Sequence, residues 1–215
     1  HGWHLDSIQN GLAGVYQALK KFNPEAKLSV KTTFDIPFEN LQGDADEHVN
    51  FGCMPSLNAY GMEGMKENGR NVNFRSAGGH IHFGLSSDGK KPENIIKAVK
   101  GMDTILGVAC VALFAKFDDA RRRKMYGLAG EYRTPPHGLE YRVLSNAWLS
   151  HPFITNLVLD LARKAYMFGV SDLFSEWKCD EKEIIRIINE CDVDAARKVL
   201  ETNKDMFKII ISAAY

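Results

Sequence analysis

Twice in quick succession the chain repeats Glu-Tyr-Arg, in Gly130-Glu131-Tyr132-Arg133 and again in Leu139-Glu140-Tyr141-Arg142-Val143. Between the copies lies Thr134-Pro135-Pro136-His137-Gly138, whose prolines and glycine suit a tight turn. Two short extended runs around such a turn predict an antiparallel pair of strands. Residues two apart on a strand face the same side. Each Glu therefore shares a face with its own Arg, and on neighbouring strands one surface gathers two carboxylates and two guanidinium groups. Such a surface is either a cross-strand salt-bridge ladder or a binding site. Carboxylates suit a hard cation such as Mg²⁺, and guanidinium forks grip phosphate oxygens.

A second extended run lies upstream. Val72-Asn73-Phe74-Arg75, Ser76-Ala77-Gly78-Gly79 and His80-Ile81-His82-Phe83-Gly84 follow one another, and the glycine pair between two extended runs predicts a hairpin. On the second arm His80 and His82 project together, with Ile81 and Phe83 toward the core. Two imidazoles side by side either hold a metal or anion or decorate a solvated sheet face.

The helical patterns are longer. Ile8, Leu12, Val15, Leu19 and Phe22 recur at helical spacing until Asn23-Pro24. Leu28 to Phe34 is rich in β-branched residues and reads as a strand ended by Pro37. Residues 39–69 are turn-rich, an excursion with short helical pieces. Pro92 opens a long, largely buried helix through Ile95, Val99, Met102, Leu106 and Leu113 to Phe117. Ser145 is the N-cap expected for another helix running to about Tyr166. From Asp180 to the end the chain is helical and amphipathic, with Ile184, Ile187, Ile188, Val199 and Leu200, a tail of the same domain. Antiparallel strand pairs separated by long helices argue for an α+β fold: one domain over residues 1–215, a mainly antiparallel sheet with helices packed on one face.

Composition narrows the partners. The 27 Lys and Arg balance the 27 Asp and Glu, so no global field favours nucleic acid or a membrane surface. No apolar stretch approaches the roughly 20 residues that a membrane-spanning helix needs. The four cysteines form no CxxC pair, which points to reduced structural thiols and a cytoplasmic setting. The one dense basic run, Arg121-Arg122-Arg123-Lys124, stands at the expected C-terminal end of the long helix. Cations are favoured there by the helix dipole, and the first Glu-Tyr-Arg strand that follows places the run within reach of a polyphosphate. There is no P-loop, Rossmann fingerprint or HExxH motif.

Taken in order, three stretches resemble the phage-type carboxylate–amine ligases of the glutamine synthetase and glutamate–cysteine ligase superfamily. They are Phe51-Gly52-Cys53-Met54-Pro55-Ser56-Leu57-Asn58-Ala59-Tyr60, then Arg75 through Gly84, then Tyr126-Gly127-Leu128-Ala129-Gly130-Glu131-Tyr132-Arg133 with Leu139 through Asn146. The resemblance spans about Leu28 to Tyr166. It implies a curved antiparallel sheet forming a funnel, with nucleotide at one end and the acid and amine at the other. It also implies formation of an amide bond through an acyl phosphate, with ATP and two or three Mg²⁺ ions (Mn²⁺ as a substitute) as cofactors.

The same resemblance assigns roles. His80 and Glu140 match the superfamily's metal ligands, and Glu131 is a further metal candidate. Arg142 and Arg133 match the phosphate-handling, catalytic arginines. His82 lies toward the phosphate or substrate, and Arg123 of the basic run joins the nucleotide contacts. Arg75 and Tyr126 are substrate contacts. The implied partners are a small-molecule or peptide acid and amine, with room for a homo-oligomer. The implied location is the cytoplasm, a host's cytoplasm for a phage-encoded chain.

The family's earlier acidic strand has no counterpart here, because Asp44, Asp46 and Glu47 stand in a turn-rich segment. Together with the helical pattern that begins almost at His1, this leads to the expectation that an N-terminal segment is missing and that the sheet has an open edge beside the His80 strand. Two rival functions remain. A metal-dependent hydrolase of the amidohydrolase kind also uses His-x-His, but it needs a parallel barrel and further His ligands, with only His137 and His151 downstream. A non-catalytic, ligase-like assembly module, viral or otherwise, needs no metal at all.

Overall fold

The helical spacing near the start is realised as α1 (Gly2–Phe22), which stops where Asn23 and Pro24 turn the chain. The computed structural model describes residues 2–29, 31–42, 56–63 and 72–213. Phe51 to Pro55 and the acidic residues Asp44, Asp46 and Glu47 lie outside the described residues. The apolar stripe of α1 is solvent-facing: Leu12, Val15, Leu19 and Phe22 are all exposed.

The next strand is shorter and later than its composition suggests. β1 is Thr33–Asp35 alone, followed by the short helix α2 (Phe38–Gln42). β2 (Leu57–Asn58), β3 (Phe74–Ser76) and β4 (Ile81–Gly84) follow. The expected hairpin of β3 with β4 does not form. β3 pairs with β1 in a two-stranded sheet, Thr33 opposite Ser76. β4 instead pairs with β6 (Gly138–Tyr141). The reason lies in the glycine pair. Gly78 bridges Ser145, the Gly79 amide donates to the Leu144 carbonyl (3.0 Å), and the Trp148 indole N–H donates to the Gly79 carbonyl (3.0 Å). A Cβ on Gly79 would stand 2.2 Å from that indole nitrogen and 2.3 Å from the Ser145 carbonyl oxygen. The glycines thus carry the chain across from one sheet to the other.

The Glu-Tyr-Arg copies do form a hairpin, β5 (Glu131–Arg133) against β6. The larger sheet runs β2-β5-β6-β4, antiparallel throughout and open. Among the described residues β4 stands at one edge of this sheet. An open antiparallel sheet is not the parallel barrel that the hydrolase reading requires.

Under the sheet lies the long helix, in three pieces: α3 (Pro92–Met102), a π-helical turn over Asp103–Gly107, and α4 (Val108–Phe114). Ile81, Tyr132, Leu139 and Tyr141 from the sheet join Ile95, Val99, Met102, Ile105 and Leu106 in one core. Each large apolar side chain buried there contributes about 1.5–3 kcal/mol. α5 (Pro152–Gly169) packs on α3, so closely that a Cβ on Gly101 would meet the Gly169 Cα at 2.2 Å.

The helix expected after Ser145 is broken. Ser145 caps a 3₁₀ turn (Asn146–Ser150), and His151 then caps α5, with Pro152 at its first position. The basic run is not at a helix C-terminus either. α4 ends at Phe114, and Arg121 to Lys124 sit in a separate 3₁₀ turn (Ala120–Lys124) capped by Asp119. The tail is helical as expected: α6 (Glu181–Glu190), α7 (Val193–Thr202) and α8 (Lys204–Ser212). Ile184, Ile187 and Ile188 pack into the common core.

Among the described residues no helix is long and apolar enough to cross a membrane. Cys110, Cys179 and Cys191 are free thiols, and Cys53 lies outside the described residues.

Candidate functional site

Register places the polar residues before any side chain is considered. His82 stands opposite Glu140, and Glu140 opposite Arg133. Directly opposed residues of an antiparallel sheet share a face. The next row, Ile81–Tyr141–Tyr132, therefore points the other way, into the core. One step further the Arg142 amide donates to the Glu131 carbonyl (3.1 Å). His82, Glu131, Arg133, Glu140 and Arg142 thus occupy one face, and His80, two residues before His82, joins them.

Glu140 is the centre of this cluster. Its Oε1 lies 2.8 Å from His80 Nδ1 and 3.3 Å from Arg142 Nε, and its Oε2 lies 3.8 Å from Arg133 Nη1. The Arg142 Nε contact is charge proximity rather than an aligned hydrogen bond, since that nitrogen makes none among the described residues. Arg142 is otherwise well held. Its Nη1 donates to Ser56 Oγ (2.6 Å), and its guanidinium lies over the Tyr126 ring, 5.5 Å from the centroid. Glu131 accepts from the Gly127 amide (2.7 Å) and from Ser56 Oγ (3.4 Å). Burial pushes the Glu131 carboxyl above its ordinary range.

His80 is kept neutral. Burial, and then the positive Arg142 beside it, lower its pKa to about 4 against the pull of Glu140. A neutral imidazole facing a carboxylate carries its proton on Nδ1, which leaves the Nε2 lone pair for another partner. That nitrogen is buried and makes no hydrogen bond among the described residues. The Gly78 backbone packs closely against it: a Cβ on Gly78 would lie 2.5 Å from His80 Nε2 and 2.8 Å from the Tyr126 hydroxyl. The Tyr126 ring meets the imidazole edge-on, 5.7 Å between centroids.

Other sequence-derived candidates stand apart. His82 is exposed, and its Nδ1 lies 3.0 Å from Nε2 of His137 on the β5–β6 turn. Arg75 belongs to the two-stranded sheet and donates to the Val72 and Phe74 carbonyls (2.9 and 3.0 Å). Arg123 is not brought to the shared face. It is buried, donating to the Val143 carbonyl (2.8 Å) and the Gly127 carbonyl and pairing with Asp118 (3.4 Å). Arg122 beside it is fully buried on Asp118 (2.8 Å) and the Val143 carbonyl (2.6 Å). The cavity that these two line, about 20 Å³, has room for a water molecule and none for a nucleotide.

Sequence reasoning gave no role to Ser56, His137 or Asp103. Ser56 and His137 carry no local signal. Asp103 does, because an acid within Met102-Asp103-Thr104-Ile105-Leu106 sits on an otherwise apolar helix face.

Among the described residues no three His, Cys, Asp or Glu side chains are grouped to hold a metal ion. Glu140 already has two guanidinium groups within reach, and Glu131 is bonded to an amide. His80 Nε2 is one available donor, and it is nitrogen, where Mg²⁺ prefers oxygen. The described residues alone therefore do not fit a complete Mg²⁺ site.

These features define a mixed helix-and-sheet protein that gathers paired carboxylates and guanidinium groups, most of them buried, on one face of an antiparallel sheet. The comparison with protein families makes the placement specific. The chain belongs to the phage phiEco32-like COOH.NH2 ligase-type 2 family, whose model matches residues 66–209, more than half of the sequence and inclusive of β3 through most of α8. The family's name is that of a carboxylate–amine ligase. No curated protein and no solved structure matches the chain.

Proposed function

We propose that this protein is an ATP-dependent carboxylate–amine ligase with a glutamine synthetase-like catalytic domain, joining a small-molecule or peptide acid to an amine through an acyl phosphate. The observation that carries the reading is the convergence of Arg133, Arg142, Glu140 and His80 on one sheet face, with Glu140 and Arg142 buried and Arg133 at the rim. A carboxylate oxygen of the acid attacks the γ-phosphorus of ATP, and ADP leaves. The amine nitrogen then attacks the carbonyl carbon of the acyl phosphate, inorganic phosphate leaves, and the amine gives up a proton. Both steps concentrate negative charge on phosphoryl oxygens, and fixed guanidinium groups stabilise such charge as it develops.

Arg142 suits that role because Ser56 and Tyr126 fix its guanidinium before substrate arrives. Arg133 is more exposed and nearer the rim, which suits an incoming phosphate. His80 Nε2, which makes no hydrogen bond among the described residues, is the acceptor offered to a cation or a substrate N–H. Mg²⁺ would accompany the nucleotide as the counter-ion of its phosphates.

The test is nucleotide turnover across a panel of acids and amines. ADP release that requires both an acid and an amine supports the reading. ATP hydrolysis indifferent to either, or none with any pair, contradicts it. Arg142→Ala should lower kcat by ~10²–10³-fold, with a smaller change in nucleotide affinity.

A further inference from the structure

Asp103 is a carboxyl sealed in the core. It is 0 % exposed and sits in the π-helical turn beneath the sheet. The Tyr141 hydroxyl donates to its Oδ1 and the Gly130 amide to its Oδ2, both at 2.6 Å, and the Tyr60 hydroxyl bonds it as well. These three partners lie in or beside three strands of the four-stranded sheet. Tyr141 lies in β6 between Glu140 and Arg142. Gly130 immediately precedes Glu131 of β5. Tyr60 follows β2 by two residues, and Ser56, the partner of Arg142 and Glu131, immediately precedes β2. One buried carboxyl thus grips, from the core side, the strands whose opposite face carries the site.

The backbone is arranged to permit this grip. Gly130 has φ +79°, a conformation open to glycine at little cost. A Cβ there would meet the Tyr60 ring at 2.5 Å. The π-helical turn re-aims one residue of an otherwise regular helix, as such turns do at functional positions. Burying a carboxyl is costly unless its oxygens are bonded. An apolar residue would fill the same space without that cost, but would leave the Gly130 amide and the Tyr141 hydroxyl unsatisfied.

We propose that Asp103 is a positioning residue: from beneath the sheet it fixes how β2, β5 and β6 stand against one another, and so sets Glu131, Glu140 and Arg142 in one geometry. Its bearing on turnover rests on the ligase reading, and its bearing on geometry does not. Asparagine can keep most of the arrangement, since its carbonyl accepts from Gly130 and its amide N–H donates to a rotated Tyr141 hydroxyl. Leucine can keep none of it.

The experiment compares Asp103→Asn, Asp103→Leu and Tyr141→Phe with wild type by crystal structure and by steady-state kinetics. Asp103→Leu is expected to separate His80 from Glu140 and to lower kcat by ~10²-fold, the scale of a small misplacement, with KM for ATP changed far less. Asp103→Asn is expected to retain the His80–Glu140 contact and turn over within a few-fold of wild type. Tyr141→Phe, which removes one arm at unchanged shape, should fall between them, and it decides the matter should Asp103→Leu fail to fold. Unmoved site residues in Asp103→Leu, or in Tyr141→Phe if the leucine variant is lost, overturn the proposal. So does an Asp103→Asn variant as impaired as Asp103→Leu. If wild type itself turns over no acid–amine pair, the ligase reading fails alone and the crystal structures still decide the positioning role.

Discussion

His80 Nδ1 and Glu140 Oε1 stand 2.8 Å apart, on strands β4 and β6 that pair directly. The contact makes Glu140 the acceptor for an imidazole N–H and leaves the far nitrogen of His80 buried without a hydrogen bond among the described residues. Burial and Arg142 lower the His80 pKa to about 4 from an ordinary 6.5. His80 should therefore be neutral at neutral pH, and NMR of the imidazole nitrogens should show it titrating well below an ordinary imidazole. Its folded pKa lies below its unfolded one. The stability it contributes is then complete above about pH 6.5 and is lost as pH falls toward about 4. An imidazole titrating near 6.5 would show that the cluster is open to solvent.

Gly78→Ala probes the close approach of Gly78 to His80. The added methyl would lie 2.5 Å from His80 Nε2 and 2.8 Å from the Tyr126 hydroxyl. The contacts are side-chain atoms, so the expected result is a folded protein that has lost most of its nucleotide or substrate affinity, measured by calorimetric titration. Unchanged affinity would mean that nothing binds at His80 Nε2.

Asp103 reverses the usual behaviour of a carboxylate. Burial raises its pKa to about 7 from 3.8. The folded state holds this proton more tightly than the unfolded chain, so the associated stability is present below about pH 4 and is lost as pH rises through about 7. His80 acts in the opposite sense over much of that window. Asp103→Asn should remove the carboxyl's share, and urea unfolding should show the variant gaining on wild type as pH rises from about 4 to about 7. A difference independent of pH would contradict the raised pKa.

Gly101→Ala tests the core. Its new methyl would meet the Gly169 Cα at 2.2 Å and the Gly169 nitrogen at 2.7 Å. These are backbone atoms of α5, which cannot swing aside. The two helices must move apart, at a cost of about 1–3 kcal/mol. A thermal or urea melt reads this directly. A variant as stable as wild type would mean that α3 and α5 are less closely packed than described.

The sequence carried the hairpin of Glu-Tyr-Arg strands, because alternation and the Pro-Pro-His-Gly turn are local. It carried the shared face of His80, Glu140 and Arg142 for the same reason, since a period of two fixes facing once register is set. It did not carry the partner of β3. A glycine pair marks a change of direction but not where the chain goes next, and the crossing is decided by Ser145 and Trp148, remote in sequence. Arg123 was misplaced on similar grounds: the basic run was legible, but its anchoring on Asp118 and the Val143 carbonyl depends on how the 3₁₀ turn folds back. The stripe on α1 was legible as helix yet is exposed, because periodicity identifies an apolar face and says nothing of what covers it.

The central claim is transfer of a phosphoryl group to a carboxylate before the amide forms. With an active acid–amine pair in hand, the acid is labelled with ¹⁸O in its carboxylate and the products are read by mass spectrometry. The acyl-phosphate route predicts ADP, the amide, and inorganic phosphate carrying one ¹⁸O from the acid for each amide formed, with the rate of labelled phosphate formation lowered ~10²–10³-fold in Arg142→Ala. Unlabelled phosphate, or AMP and pyrophosphate in place of ADP, would contradict it.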